Sequence, residues 1–223
     1  MSHERPMVTE VLDVRGLALS GEVALQPALE LLRAGQTVVF PTDTVYGIGC
    51  DLWNAVAIER LFEAKQRTHD LAIPVLVAEA RAVERVARQL PPMLAALAEV
   101  FWPGGLTLVL LRRPEVPSVL CNGGDTVAVR LPDHRVARAL AEAMGGALAA
   151  TSANLSGRPA PITAAEALAQ LSGRVPLVLD GGPCPGGQAS TLVDLVSQPP
   201  RLLRVGGVGA DALRRYLPSL VSV

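Results

Sequence analysis

The chain has 223 residues, half of them hydrophobic, with three cysteines and a formal net charge of −1. That length and apolar content support one compact core, and the near-neutral charge removes the footprint expected of a surface built for nucleic acid or an anionic membrane. Cys50, Cys121 and Cys184 are too widely spaced for a CxxC metal site or a disulfide framework, and the apolar runs are strand-sized, far short of a bilayer span.

The N-terminal Met1 to Met7 segment lacks a signal-peptide pattern, so a cytoplasmic location is expected. In chain order, the apolar spacing predicts a helix over 24–34 ending at Gly35, then a strand over Thr37–Phe40. A polar loop runs from Pro41 to Gly49, and a helix follows from Asn54 to Lys65. A buried strand over Ile73–Val77 leads to helices near 80–89 and 91–100, a strand over Leu106–Leu111, a Pro/Gly loop over 114–124, and a strand over Thr126–Arg130. A helix over 133–144 and a strand over Ala147–Thr151 come next. Thr163-Ala-Ala-Glu166 reads as a capping box opening another helix, and strands near 177–179, 191–193 and 202–205 complete the pattern. Alternation of this kind predicts an α/β fold, a mixed β-sheet flanked by helices, in a single domain over 1–223. The Gly/Pro-rich loops 114–124 and 180–189 are lid candidates, although exposed turns are the commoner use of such composition.

Lys65 is the only lysine; the other nineteen fixed cations are arginines. It falls on the apolar stripe of its helix with Ile58, Leu61 and Phe62, at i, i+3, i+4 and i+7. A core-facing ammonium needs an anion, from a protein carboxylate or from a ligand, because leaving it unpaired would cost roughly several kcal/mol. The plainer alternative is a lysine that snorkels from the end of the stripe.

Polar groups gather where strands end, the usual position of ligands in open α/β sheets. Strand 37–40 runs into Thr42, Asp43, Thr44 and Tyr46, with Gly47 and Gly49 expected to allow close approach of a ligand. Strand 147–151 runs into Ser152, Asn154 and Ser156. Strand 126–130 ends on Arg130, Ser190 precedes strand 191–193, and strand 202–205 carries Arg204 into Gly206-Gly207. Singly these residues read as turn formers and surface ion pairs; together with Lys65 and Arg67 they make a cationic, hydroxyl-lined pocket suited to an anionic ligand such as a nucleotide. Asp43 reads either as a general base or magnesium ligand, or as an Asx hydrogen-bond acceptor. His3, His69 and His134 lack metal-ligand spacing and read as surface or capping residues. The chain has no GxxxxGK[ST], GxGxxG, HExxH or GxSxG motif.

Pro41-Thr-Asp-Thr-Val-Tyr-Gly-Ile-Gly49, Lys65-Gln-Arg67, Trp102-Pro-Gly-Gly-Leu-Thr107, Val129-Arg-Leu-Pro132, Ser152-Ala-Asn154, Ser190-Thr191 and Leu203-Arg204 resemble, in order, the motifs of the YrdC-like family of threonylcarbamoyl-AMP synthases. The resemblance covers about residues 22–208. It implies a twisted mixed sheet with a concave cationic cavity, and synthesis of L-threonylcarbamoyladenylate from L-threonine, bicarbonate or CO2, and ATP, with release of pyrophosphate and usually with magnesium. By motif match, Lys65 and Arg67 would bind ATP phosphates and act catalytically. Thr126, Ser152, Asn154 and Arg204 would also contact ATP, and Thr42, Arg130 and Ser190 would hold threonine. No metal ligand is assigned to a protein side chain. The implied partner is a downstream tRNA-modifying transferase complex, with tRNA contact weak or indirect. Thr68 and Gly105 stand where the family usually has proline, and the chain is expected to lack the extra C-terminal domain of some members. A related carbamoyl-transfer or orphan YrdC-like protein is the nearest alternative. A non-catalytic RNA-binding module is disfavoured by near-zero charge and few aromatic residues.

Overall fold

The computed structural model describes residues 7–16, 22–69 and 71–222, so His3 and the N-terminal segment before Met7 lie outside the described residues. Among the described residues, eleven strands form one mixed sheet: β1 (Glu10–Asp13), β2 (Val38–Phe40), β3 (Gly47–Cys50), β4 (Val75–Val77), β5 (Leu106–Leu111), β6 (Thr126–Arg130), β7 (Ala147–Ser152), β8 (Leu177–Asp180), β9 (Thr191–Asp194), β10 (Arg201–Arg204) and β11 (Val221–Ser222). Their spatial order is β1-β8-β2-β3-β7-β4-β6-β5-β9-β10-β11. The β2–β3, β3–β7, β4–β7, β5–β6 and β9–β10 pairs are antiparallel and the others parallel.

Six α-helices among the described residues cover the sheet: α1 (Glu22–Arg33), α2 (Ala55–Lys65), α3 (Met93–Phe101), α4 (Arg135–Ala143), α5 (Ala164–Leu171) and α6 (Ala210–Arg214). Strand alternation sorts the core. On β2, Val38 and Phe40 pack with α1 and α4, while Val39 faces the α5 side. On β4 and β7, Leu76, Leu148 and Ala150 join the α1/α4 layer, whereas Val75, Val77, Ala147 and Ala149 join the layer that holds α2 and α3.

The same alternation exposes a face farther along the sheet. Val127 and Val129 of β6, Leu106, Leu108 and Leu110 of β5, and Val193 of β9 enter the α2/α3 core. Their neighbours Thr126, Ala128, Arg130, Thr107, Val109 and Leu192 therefore point to the other face, where they line cavities.

Several expectations change. Segment 41–49 is not all loop: Gly47–Cys50 is β3, paired on both sides. Gly49 makes room for protein rather than ligand, since a Cβ there would meet the Phe40 ring and the Ala149 carbonyl, each at 2.9 Å, whereas Gly47 does line a cavity. The expected helix at 80–89 is a 3₁₀ turn over Ala80–Arg85. Loop 114–124 contains another 3₁₀ turn, Ser118–Cys121, and lies away from the cavities; Arg112 fastens it through the carbonyls of Gly124 and Val116. Thr163 does cap α5 at Glu166 N, as the capping-box spacing predicts.

Candidate functional site

Helix α2 starts at Asn54, whose side-chain oxygen accepts from the amides of Val56 and Ala57 at 3.0 and 3.2 Å. Ile58, Leu61 and Phe62 are buried on its inner stripe, each contributing roughly 1.5–3 kcal/mol by removal from water. The helix ends at Gln66, which is left-handed with φ of 50°. There Gln66 N donates to Glu63 O and Arg67 N to Phe62 O, a Schellman closure that reverses the chain and returns Arg67 beside Lys65.

Lys65 is 2% exposed. Its partners among the described residues are backbone carbonyls rather than a carboxylate: Nζ donates to those of Ser152 and, at 2.6 Å, Asn154. Burial, reinforced by the like charge of Arg67, lowers its pKa to about 7. Two of three ammonium N–H groups are spent on carbonyls, which leaves one for the cavity that Lys65 lines. Arg67 donates to Thr151 Oγ1 at 3.1 Å and to the Ala72 carbonyl at 2.9 Å. The Asn154 amide donates to the carbonyls of Leu155 and Arg158, each at 2.8 Å, and its buried Oδ1 has no protein partner.

The hairpin between β2 and β3 is closed by Thr42, whose hydroxyl donates to Val45 O at 2.7 Å and accepts from the Thr44 and Val45 amides. Arg130, 7% exposed, donates to Gly104 O, Thr44 Oγ1 and Asp43 Oδ1 at 2.9, 2.7 and 2.6 Å. Burial draws its pKa down, against the pull of Asp43. Asp43 thus makes no Asx turn; its carboxylate also accepts from Asp133 N at 3.1 Å. Ser190 Oγ lies 2.6 Å from Thr107 Oγ1 and accepts from Arg204 at 3.3 Å. Burial, with Arg130 as a like-charged neighbour, lowers the pKa of Arg204.

These groups surround two adjoining cavities. The inner one, about 100 Å³, is lined by Thr42, Arg130, Ser190, Ser152 and Arg204, together with Thr44, Tyr46, Gly47, Leu76 and Thr107. The outer one, about 540 Å³, is lined by Lys65, Arg67, Thr126, Asn154, Ser152 and Arg204. The nine residues assigned to ATP or threonine by motif match therefore all line one space or the other, Ser152 and Arg204 lining both, whereas Asp43 and Gly49 line neither. The cavities spread across a sheet face rather than beyond the strand ends, because Thr126, Ala128 and Arg130 alternate along the length of β6. Thr107 was not among the expected site residues, yet its signal was present: a hydroxyl between Leu106 and Leu108 marks the face opposite the core.

Loop 180–189 does reach the inner cavity, through Ala189. It is tied down by Tyr46, whose hydroxyl donates to Gly182 O at 2.7 Å, by Cys184 N on Ile162 O, and by Gly186 N on Asp43 O. Desolvation raises the Tyr46 pKa, which keeps that hydroxyl a donor. His69 pairs with Glu59 at the surface, and His134 precedes α4 without a side-chain capping bond.

Residues 30–206 match the family model Sua5/yciO/yrdC, described as telomere recombination. The chain belongs to this family. Within the Sua5/yciO/yrdC family it is 39% identical to the threonylcarbamoyl-AMP synthase of Pyrococcus abyssi, over 88% of this chain and 58% of that protein. The P. abyssi Sua5 structure complexed with L-threonine superposes with a TM-score of 0.92 at 37% identity, covering 96% of this chain and 62% of that one. Escherichia coli YciO superposes at 0.80 with 25% identity, over 94% of this chain and 98% of its own. The chain thus spans less than two thirds of the length of the Pyrococcus protein.

Proposed function

We propose that this protein makes L-threonylcarbamoyladenylate from L-threonine, bicarbonate or CO2, and ATP, releasing pyrophosphate for threonylcarbamoyl adenosine modification of tRNA. One observation carries the reading: a small cavity lined by a buried arginine adjoins a larger one lined by Lys65 and Arg67, with Ser152 and Arg204 on the wall of both.

Threonine occupies the inner cavity, its carboxylate on Arg130, with Thr42 and Ser190 as polar neighbours. ATP occupies the outer cavity, with Thr126, Asn154, Ser152 and Arg204 as contacts and its phosphates on Lys65 and Arg67. Carbonyl-bound Lys65 is pre-aimed, so charge building on the phosphates meets a donor that need not reorganise. The amine of threonine bonds to the carbon of CO2 and loses a proton. A carbamate oxygen then attacks the α-phosphorus, and pyrophosphate departs with the electrons of the broken P–O bond. No covalent protein intermediate is required; the protein supplies proximity and charge stabilisation.

The described residues contain no group of three His, Cys, Asp or Glu side chains placed to hold a metal, and Asp43 is engaged by Arg130. Magnesium enters with ATP, as the counterion of its phosphates. No described helix is long and apolar enough to cross a membrane. The adenylate passes to a tRNA-modifying transferase complex, tRNA itself making weak or indirect contact, in the cytoplasm.

The test is pyrophosphate release from ATP, magnesium and bicarbonate with each amino acid in turn, with mass detection of the adenylate. Threonine alone should give turnover, and Lys65→Ala should lower it at least about 100-fold, on the order of 3 kcal/mol in the barrier, with the fold retained. An active, folded Lys65→Ala protein would remove the proposed role.

A further inference from the structure

We propose that Asp43 is a positioning residue for recognition of the substrate carboxylate, acting through Arg130; this deepens the function proposed above and rests on it. A guanidinium has five N–H donors in one plane. Three are taken in Arg130 by acceptors from two segments: the Gly104 carbonyl at 2.9 Å, and, from the turn after β2, the Thr44 hydroxyl at 2.7 Å and the Asp43 carboxylate at 2.6 Å. The plane is thereby fixed, and the two remaining N–H groups are available to the inner cavity that Arg130 lines. Asp43 does not line that cavity, so its influence there runs through the arginine.

Asp43 is itself held on two sides. Its Oδ1 accepts from Asp133 N at 3.1 Å, just ahead of α4, and its backbone carbonyl accepts from Gly186 N at 2.9 Å. A Cβ on Gly186 would come within 2.6 Å of that carbonyl, so the loop leading to Ala189 and Ser190 closes tightly on this turn. The Arg130 and Asp43 side chains are only 8% and 13% exposed. Of the three acceptors, Asp43 alone carries charge; without it the buried guanidinium keeps neutral partners only and relaxes toward solvent, away from the orientation that receives a carboxylate.

The experiment uses the full chain and Asp43→Asn, which keeps size and an acceptor oxygen but removes the charge. L-threonine and L-threoninol, the analogue lacking the carboxylate, are titrated by calorimetry, and KM for threonine and for ATP is measured by pyrophosphate release. Threonine binding should weaken at least tenfold, while threoninol binding and the KM for ATP move less than twofold. Unchanged or tighter threonine binding overturns the proposal, as does an equal loss for threonine and threoninol, which would report a change of cavity shape. If Asp43→Asn does not fold, Asp43→Glu is read the same way, with a smaller loss again confined to threonine. A wild-type protein with no preference for threonine over threoninol overturns the assigned function, and this proposal with it; a wild-type preference retained in the variant overturns the part of Asp43 alone.

Discussion

Lys65 titrates near 7 because burial and the neighbouring Arg67 charge both disfavour its ammonium form. A bound phosphate acts in the opposite direction and raises that pKa, so ATP binding takes up a proton where the free and bound values differ. ATP affinity should therefore fall as pH rises from about 7.5 to 9, measured by calorimetry, and Lys65→Ala should bind more weakly with a flat profile. The ligand-free protein carries a related signature. Its folded pKa lies below the unfolded value of 10.5, so between about 7 and 10.5 the unfolded chain holds the extra proton and stability rises with pH. Urea denaturation across that window should show a gain on the order of 2–4 kcal/mol that Lys65→Ala lacks. The stripe Ile58, Leu61, Phe62, Lys65 was legible from spacing alone. The identity of the lysine's acceptors was not, because the Ser152 and Asn154 carbonyls lie 87 and 89 residues away along the chain.

At the scale of elements, β3 escaped sequence reading because Gly47-Ile-Gly-Cys50 lacks the usual composition of a strand. Two neighbours compensate: β2 and β7 pair with it on either side, and the Phe40 ring covers the surface its glycines leave bare. Gly49→Ala should accordingly cost about 1–3 kcal/mol in urea denaturation, since the new methyl must displace a backbone carbonyl, an aromatic ring, or both. Helix α2 illustrates the reverse situation. Its Asn54 cap and apolar stripe were readable, and its left-handed end at Gln66 explains why two cations with one residue between them reach the same cavity. The short β1, β11 and α6 offered too few residues for a periodic signal. Helix 80–89 failed for a different reason: its apolar positions Ala82, Val83, Val86 and Ala87 are buried, but the backbone over Ala80–Arg85 closes as a 3₁₀ turn.

Across the whole molecule, the two cavities share Pro74, Thr151, Ser152 and Arg204. Ligands in adjoining spaces with common walls do not bind independently, and their coupling must be reciprocal. A non-hydrolysable ATP analogue should change threonine affinity about 5- to 100-fold, and threonine should change the analogue's affinity by the same factor; calorimetry in both orders checks the equality. By itself the sequence determined which residue types cluster at the ends of the strands it predicts, the inner stripe of α2, the order of the family motifs, and hence nine of the residues that line the cavities. Only the tertiary structure decided that the site spreads over a sheet face, that Lys65 is held by carbonyls, and that Asp43 serves Arg130 rather than its own turn. Periodicity specifies which side of its own element a residue faces; it carries no information on which strand or loop, some 87 residues distant, will lie opposite that side.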